Sequence, residues 1–599
     1  MSENTQLMIK CERIDNKSHF KLIFNYNADL IAKIKELPKT DRIWDGDEKV
    51  WHLSTKSLYH LISSYKRTDG LFFKFNDDDR AYFVTQIQKL KEEDEEEKQL
   101  IKDIEKKNKE NLKYKDYLEK NAKSLESKVL SVLKDSNNLK LYPHQVVGTL
   151  FLDKVKNALI SLEMGLGKTA IAIAHCELQN FKKVLVITPN SLKFNFFDEV
   201  EKFSFSKPHI LGNKKNFFSA EEAKYIIINY DFFRNSNFND IKNKLEKYSI
   251  IIKNFDSVVF DESHKLKNTK SNTVKNIKKI LKLAKPESKV FLSGTPTPNR
   301  AFELYSVMHE IAPLEFPTKK DFYSFCGMHY NIHTGLWETD LNETKFEELF
   351  HKISPHVYRK RKDEVLKDLP DKIYQKISVE MTERQNKEYQ ALEENIVVDF
   401  MGQKITFEQN PLTKIIELRK YTAKVKLEVI SEILETLIEQ KEKVVVIDVF
   451  KEPLYNLYEK FKDVSVIHTG DQSVDERNES KRLFQDPNSE IYLFFGSAQT
   501  CNAGLTLTAA SKMFIITSPY SVGDFDQIAD RLHRIGQKNT VFIYVPIVTN
   551  SIDEIVFDII ESKRSEILQV IDNEVYKSNV SESFSKELLT KLKEKYINK

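Results

Sequence analysis

Two series of short apolar runs punctuate the chain, and amphipathic segments of helix length separate the runs. The first series is ALISL (158–162), KVLVITP (183–189), YIIIN (225–229), SVVFDE (257–262) and KVFLSG (289–294). The second is KVVVIDV (443–449), VSVIHTG (464–470), IYLFFGS (491–497), KMFIITS (512–518) and TVFIYVPIV (540–548). Runs of about five β-branched or aromatic residues, each followed by a helical pattern, predict parallel strands buried on both faces. Two such series predict an α/β chain with two parallel-sheet lobes, over 135–312 and 429–570. The interval 313–428 is charged and helical in pattern and reads as an insertion and a bridge.

Ahead of the lobes the texture differs. FKLIFNY (20–26) reads as a strand, and Ala28 to Leu37 as an amphipathic helix stopped by Pro38. IWDGDEKVWHL (43–53) reads as a hairpin turning at Asp45-Gly46, which completes a small α+β module over 1–88. Residues 89–134 are dominated by Lys, Glu, Asp and Asn, with the acidic run Glu92 to Glu97, and predict a solvated helical linker. A helical tail is expected over 571–599.

Composition narrows the classes. The 599 residues, 40% hydrophobic and 31% charged, describe several globular domains. The 93 basic and 90 acidic residues leave a net charge of +3, so a simple polycation is excluded and any nucleic-acid surface must come from local clustering. Cys11, Cys176, Cys326 and Cys501 are far apart and form no CxxC pair, which argues against a zinc ribbon or a disulfide framework. Neither an apolar run of about 18 residues nor a signal-peptide core is present, so an intracellular protein without a membrane partner is expected. That means cytoplasmic in a bacterium or phage, nuclear in a eukaryotic cell.

Chemistry concentrates where strands end. LISLEMGLGKT (159–169) is a buried strand, a glycine turn and a helix start. Backbone N–H groups at Gly165, Leu166, Gly167 and Lys168 can wrap phosphate oxygens where a helix N-terminus favours anions, with Met164 opening the same nucleotide-binding turn. Lys168 supplies a mobile charge to phosphates, and the Thr169 hydroxyl can ligate Mg²⁺. In SVVFDESH (257–264) the carboxylates of Asp261 and Glu262 fall at a strand's C-terminal end, the usual ligand crevice of a parallel sheet. Asp261 is the expected Mg²⁺ holder, and Glu262 the group that activates the attacking water.

MGLGKT, DESH, Ser293-Gly294-Thr295-Pro296 and Asp530-Arg531-Leu532-His533-Arg534-Ile535-Gly536-Gln537, in this order, resemble the Swi/Snf-type ATPases of helicase superfamily two. The resemblance covers about residues 138–565. It implies two RecA-like lobes of the P-loop NTPase kind, closing on ATP and moving along duplex DNA without unwinding it. It further implies that Gln145 reads the adenine edge and that Arg531 and Arg534 face the γ-phosphate across the cleft, the second as arginine finger, with Gln527 in the same motif. Ser191, Ser293, Thr295, Gly504 and Thr506 are implied as DNA-backbone contacts, with Ser293 and Thr295 coupling nucleotide state to DNA. The basic stretch Arg359-Lys360-Arg361-Lys362 fits the family's bridge, either as a DNA contact or as a solvated face. Leu162 in place of the acidic residue common ahead of Glu163, Phe196 in place of a Trp, and Tyr520 near a frequent Trp-Asn-Pro depart from the pattern without removing a catalytic group.

Phe24-Asn25-Tyr26, Leu30 to Lys35, Arg42 to Asp45, Lys49-Val50-Trp51 and Leu53 are similar to the HepA-related (HARP) domain of annealing helicases. That likeness implies forked or branched DNA as the partner, with Trp44 and Trp51 equally readable as cross-strand core residues. A general duplex translocase that displaces bound proteins, and an inactive nucleic-acid-binding scaffold, remain alternatives. A monomer is expected.

Overall fold

Every apolar run of the two series becomes a strand in the computed structural model, which describes residues 7–14, 18–65, 71–134, 140–212, 219–235, 237–297, 300–331, 336–366, 368–401, 411–501, 505–534 and 536–572. The chain divides into two units, residues 1–110 and 111–599.

The first unit is a five-stranded sheet of β1 (Leu7–Arg13), β2 (His19–Ile23), β3 (Arg42–Asp45), β4 (Val50–Ser54) and β5 (Leu71–Lys74), in the order β3-β4-β2-β1-β5. Its pairs are antiparallel except β1 with β5. Alternation along β1 and β2 sends Ile9, Cys11, Phe20 and Leu22 to one face, against Leu30 and Ile34 of helix Ala28–Glu36 and Leu58 and Leu61 of helix Thr55–Ser63. Asn27 and Ser54 cap those helices, accepting from Leu30 N and Ser57 N. The Trp44 and Trp51 rings lie 5.2 Å apart across the hairpin, Trp51 leaning on the core and Trp44 half exposed. The expected boundary at residue 88 falls inside one helix, Asp77–Leu130, although packing into this core ends with Phe83, Ile87 and Leu90.

Two parallel sheets build the second unit. The first contains β6 (Asn157–Leu162), β7 (Val184–Thr188), β8 (Pro208–Ile210), β9 (Tyr225–Asn229), β10 (Ser257–Phe260), β11 (Ser288–Leu292) and, beyond the hairpin β12 (Cys326–Asn331) and β13 (Leu336–Thr344), the edge strand β14 (Val357–Lys360). Its order is β14-β6-β11-β10-β7-β9-β8. The second contains β15 (Lys372–Val379), β16 (Val444–Asp448), β17 (Ser465–His468), β18 (Leu493–Ser497), β19 (Lys512–Ile515) and β20 (Val541–Val548), ordered β15-β20-β19-β16-β18-β17. These are the two RecA-like lobes. Their inner strands are buried on both faces, as continuous apolar runs require, and Phe260 stacks on Phe291 of the neighbouring strand at 4.8 Å.

Two expectations need correction. The interval 313–428 is not only helical, because β14 extends the first sheet beside β6 and β15 extends the second beside β20. VYRK is too short, with two of its four residues basic, and KIYQKISV too polar and partly exposed, to show as a buried run; both are edge strands. The stretch 89–134 is not solvated throughout, since Leu118, Ala122 and Val129 from the last turns of helix Asp77–Leu130 are buried in the core of the first lobe. Of the expected tail, residues 573–599 lie outside the described residues, while 571 and 572 finish helix Ile552–Asp572. Among the described residues no helix is long and apolar enough to cross a membrane.

Candidate active site

Strand β6 delivers its C-terminal end to the turn 163–167, and helix Lys168–Leu178 begins at once. Gly165 (φ 88°) and Gly167 (φ 79°) are left-handed, a conformation that disfavours side chains. A β-carbon on Gly167 would also collide with the Gln145 amide, and one on Gly294 would stand 3.3 Å from Lys168 Nζ. The cradle is therefore closed by backbone alone. Lys168 is buried, its Nζ donating to Leu162 O at 3.0 Å and Glu163 O at 3.5 Å. Burial pushes its pKa down, opposed by the nearby Glu262 and Asp261 charges.

The parallel register brings the acids beside the cradle. Phe260 pairs with Ile187, so the next residues, Asp261 and Thr188, are neighbours, and Thr188 Oγ1 donates to Asp261 Oδ2 at 2.8 Å. Tyr230 OH donates to Asp261 O at 2.9 Å, fixing the strand end from below. Burial, and then the adjoining Glu262 charge, raise the Asp261 pKa. Glu262 moves the other way: burial alone would raise it, but His264 and the Lys168 and Arg531 charges outweigh burial. Glu262 also holds φ 50°, a strained conformation for a side-chain-bearing residue. His264 Nδ1 sits 3.3 Å from both Glu262 Oε2 and Ser293 Oγ.

From Ser293 the chain of contacts crosses to the other lobe. Ser293 Oγ accepts from Thr295 N at 3.2 Å, and Gln527 Nε2 donates to Thr295 Oγ1 at 3.3 Å. Helix Val522–Ala529 places Gln527, and the turn after it places the two arginines. Arg531 is fully buried, with Nη1 3.4 Å from Leu505 O and Nη2 3.9 Å from Met164 Sδ in the phosphate turn. Arg534 donates to Thr506 Oγ1 at 3.0 Å and to Asp530 O at 3.1 Å, and its Cγ would meet a β-carbon on Gly165 at 3.8 Å. Burial, then the Arg534 charge, press the Arg531 pKa down. A buried and a partly buried guanidinium facing a glycine cradle suit a polyphosphate, whose charge would offset both effects. Carboxylate and hydroxyl oxygens of Asp261 and Thr169 suit Mg²⁺ by ligand type.

Lys168, Asp261, Glu262, Met164, Gly165, Arg531 and Arg534 thus gather about the phosphate turn, Gln527 is linked to them through Thr295, and Thr169 follows Lys168 in the first turn of its helix. Other expected residues are placed differently. Gln145 spends its amide on the phosphate turn, donating to Leu166 O at 3.3 Å, while its oxygen accepts from Tyr142 N at 3.0 Å. Ser293 is fully buried, which removes it from a backbone-contact surface and leaves it in the hydrogen-bond chain. Thr506 is engaged by Arg534, Ser191 is exposed, and Gly504 lies outside the described residues. The basic stretch is neutralised within the protein: Arg359 meets Glu163, Lys360 meets Glu119, Arg361 meets Asp363 and Glu364, and Lys362 meets Asp530. Tyr230 and His264 received no role from the sequence. Their only signal is position at strand ends next to the acids.

The SNF2-related domain model matches residues 25–427 and the helicase conserved C-terminal domain matches 425–536. An uncharacterized ATP-dependent helicase of Mycoplasma genitalium is 28% identical over 486 residues, covering 76% of this chain and 44% of the relative. The human protein named DNA annealing helicase and endonuclease ZRANB3 is 26% identical over 451 residues, covering 73% of this chain and 41% of the relative. The chain thus spans under half the length of these relatives. The structure of a Sulfolobus solfataricus SWI2/SNF2 ATPase core in complex with dsDNA is similar at 23% identity and a TM-score of 0.34, covering 73% of this chain and 93% of that one. Because the first match alone takes in well over half of the chain, phosphate turn and acidic strand end included, the protein belongs to the SNF2-related family.

Proposed function

We propose that the chain hydrolyses ATP when bound to DNA and uses the cycle to move along duplex DNA. The observation that carries this reading is the pair Arg531 and Arg534, delivered by the second lobe onto the phosphate turn of the first. When bound, ATP would supply the bond whose cleavage drives the cycle, and Mg²⁺ positive charge to offset that of the phosphates. Lys168 leaves its two carbonyls to meet phosphate oxygens. Asp261 and Thr169 would hold the metal, and Glu262 would orient the attacking water and take its proton, with His264 setting the carboxylate. Arginines from the opposite lobe make hydrolysis depend on closure, a dependence worth about 10³–10⁵ in rate. Ser191 and Thr295, on loops at strand ends, are the DNA-backbone contacts of this reading.

The finer function is fork remodelling or strand annealing. Its supports are the N-terminal module, with its Trp-bearing hairpin, and relatives named as DNA annealing helicases. Displacement of bound proteins is the second reading, favoured by a relative named for chromatin remodelling in Arabidopsis thaliana. Phosphate release with forked, linear duplex and single-stranded DNA tests the motor. Stimulation by DNA is expected, Lys168→Ala and Glu262→Gln should abolish turnover, and Glu262→Gln should retain nucleotide. Absence of stimulation by any DNA form would remove the reading.

A further inference from the structure

Residues 361–366 and 368–371 lie between β14 in the first sheet and β15 in the second. Both ends of this linker grip the turn that carries the arginines. Lys362, near its start, is buried, and its amine meets Asp530 Oδ2 at 3.0 Å and donates to His533 O at 2.7 Å. Pro370, near its end, offers its carbonyl to His533 Nε2 at 2.7 Å.

Lys362 is equally tied to the phosphate turn. Its backbone N donates to Glu163 Oε2 at 3.0 Å, and Glu163 N donates to Lys360 O at 3.2 Å. Three residues after Glu163 the turn closes, with Leu166 N donating to Glu163 O at 3.3 Å. Asp530 does not need Lys362 for neutrality, because Lys372 of β15, in its own lobe, holds the other carboxylate oxygen at 2.9 Å. The Lys362 contact is therefore additional to the one Asp530 makes within its own lobe. Glu163, Arg359, Lys372 and Asp530 line the cleft where these groups meet.

We infer that Lys362 is a positioning residue that registers the arginine turn Asp530–Arg534 against the phosphate turn when the lobes close. Its effect passes through Asp530 and His533 O to the neighbouring Arg531 and Arg534. The burial of a charge pair adds little net stability, so its value lies in fixing one closed geometry over others. Removal should then act on rate rather than on folding or on nucleotide binding.

The inference rests on the proposed hydrolysis, and its test separates the two. In the full chain, Lys362→Met should lower DNA-stimulated kcat by about 10- to 100-fold, the scale of a displacement near 1 Å. KM for ATP should stay within about threefold and Tm within a few degrees. Lys362→Arg, which keeps the charge, should recover part of the rate. Combined with Asp530→Asn, Lys362→Met should be no slower than the slower single variant, because both break one path. Dyes on Lys242→Cys in the first lobe and Lys462→Cys in the second, both exposed positions, report closure with a non-hydrolysable ATP analogue. The native cysteines are buried and leave that labelling selective. Lys362→Met should reduce the closed population. A kcat within twofold of wild type, additive losses in the double variant, or an unchanged closed population would each overturn the inference. A wild type that hydrolyses nothing would overturn only the proposed function, and the closure signal would still decide the role of Lys362.

Discussion

Thr506→Val separates two roles for one hydroxyl. The family resemblance makes Thr506 a DNA-backbone contact, whereas the structure aims Arg534 Nη1 at its oxygen, 3.0 Å away. Valine keeps the shape and removes the acceptor. A hydrogen bond to a charged group contributes about 1.5–3 kcal/mol, and the lower figure applies here because both residues are partly open to solvent. If that energy holds the guanidinium where it faces the phosphate turn, its loss costs about tenfold in kcat. Arg534 retains its second bond, to Asp530 O, so the effect should fall well short of Arg534→Ala. The assay is steady-state phosphate release titrated separately with ATP and with duplex DNA. Reduced kcat at an unchanged half-saturating DNA concentration is expected. Unchanged kcat with a higher DNA requirement would refute the arginine-holding argument and restore the contact reading.

Other perturbations follow from the same geometry. Gly167→Ala places a β-carbon at φ 79° against the Gln145 amide, so it should cost about 1–2 kcal/mol of stability and weaken nucleotide binding; unaltered binding would contradict the backbone-cradle account. Asp448 is fully buried at the end of β16, and burial lifts its pKa to about 7 despite the bond from Phe450 N and the Lys426 charge. The folded state holds that proton more tightly than the unfolded chain, so the stabilisation is complete below about pH 4 and lost as pH rises through about 7, up to ~4 kcal/mol. Asp448→Asn should therefore raise Tm at pH 8 much more than at pH 5, and equal gains at both would refute the assignment. Deleting residues 1–88 removes the whole module core, including Phe83 and Ile87; DNA-stimulated hydrolysis should persist while regression of model forks falls, and loss of neither would remove the annealing reading.

What could be read without coordinates was whatever is encoded over a short stretch. Five-residue apolar runs such as Val184–Thr188 and Val444–Asp448 specify strands buried on both faces, because only a parallel sheet packed on two sides accepts them. The glycine turn at 163–167 and the Asp261-Glu262 pair announced phosphate chemistry, since their spacing and strand-end position suffice. Edge strand β14 escaped notice because it is four residues long and half basic, and β15 because several of its residues are exposed and its apolar content is thin. The last turns of helix Asp77–Leu130 looked like linker because Leu118, Ala122 and Val129 are diluted among charges, yet they are core. Tertiary structure alone decided which partner each polar group takes. Lys362 lies in a run of four basic residues that reads as a charged surface, and only the approach of a residue 168 positions later, Asp530, turns it inward. Likewise the meeting of Arg531 with Met164 depends on how two sheets close, a matter of long-range packing that no local pattern along the chain encodes.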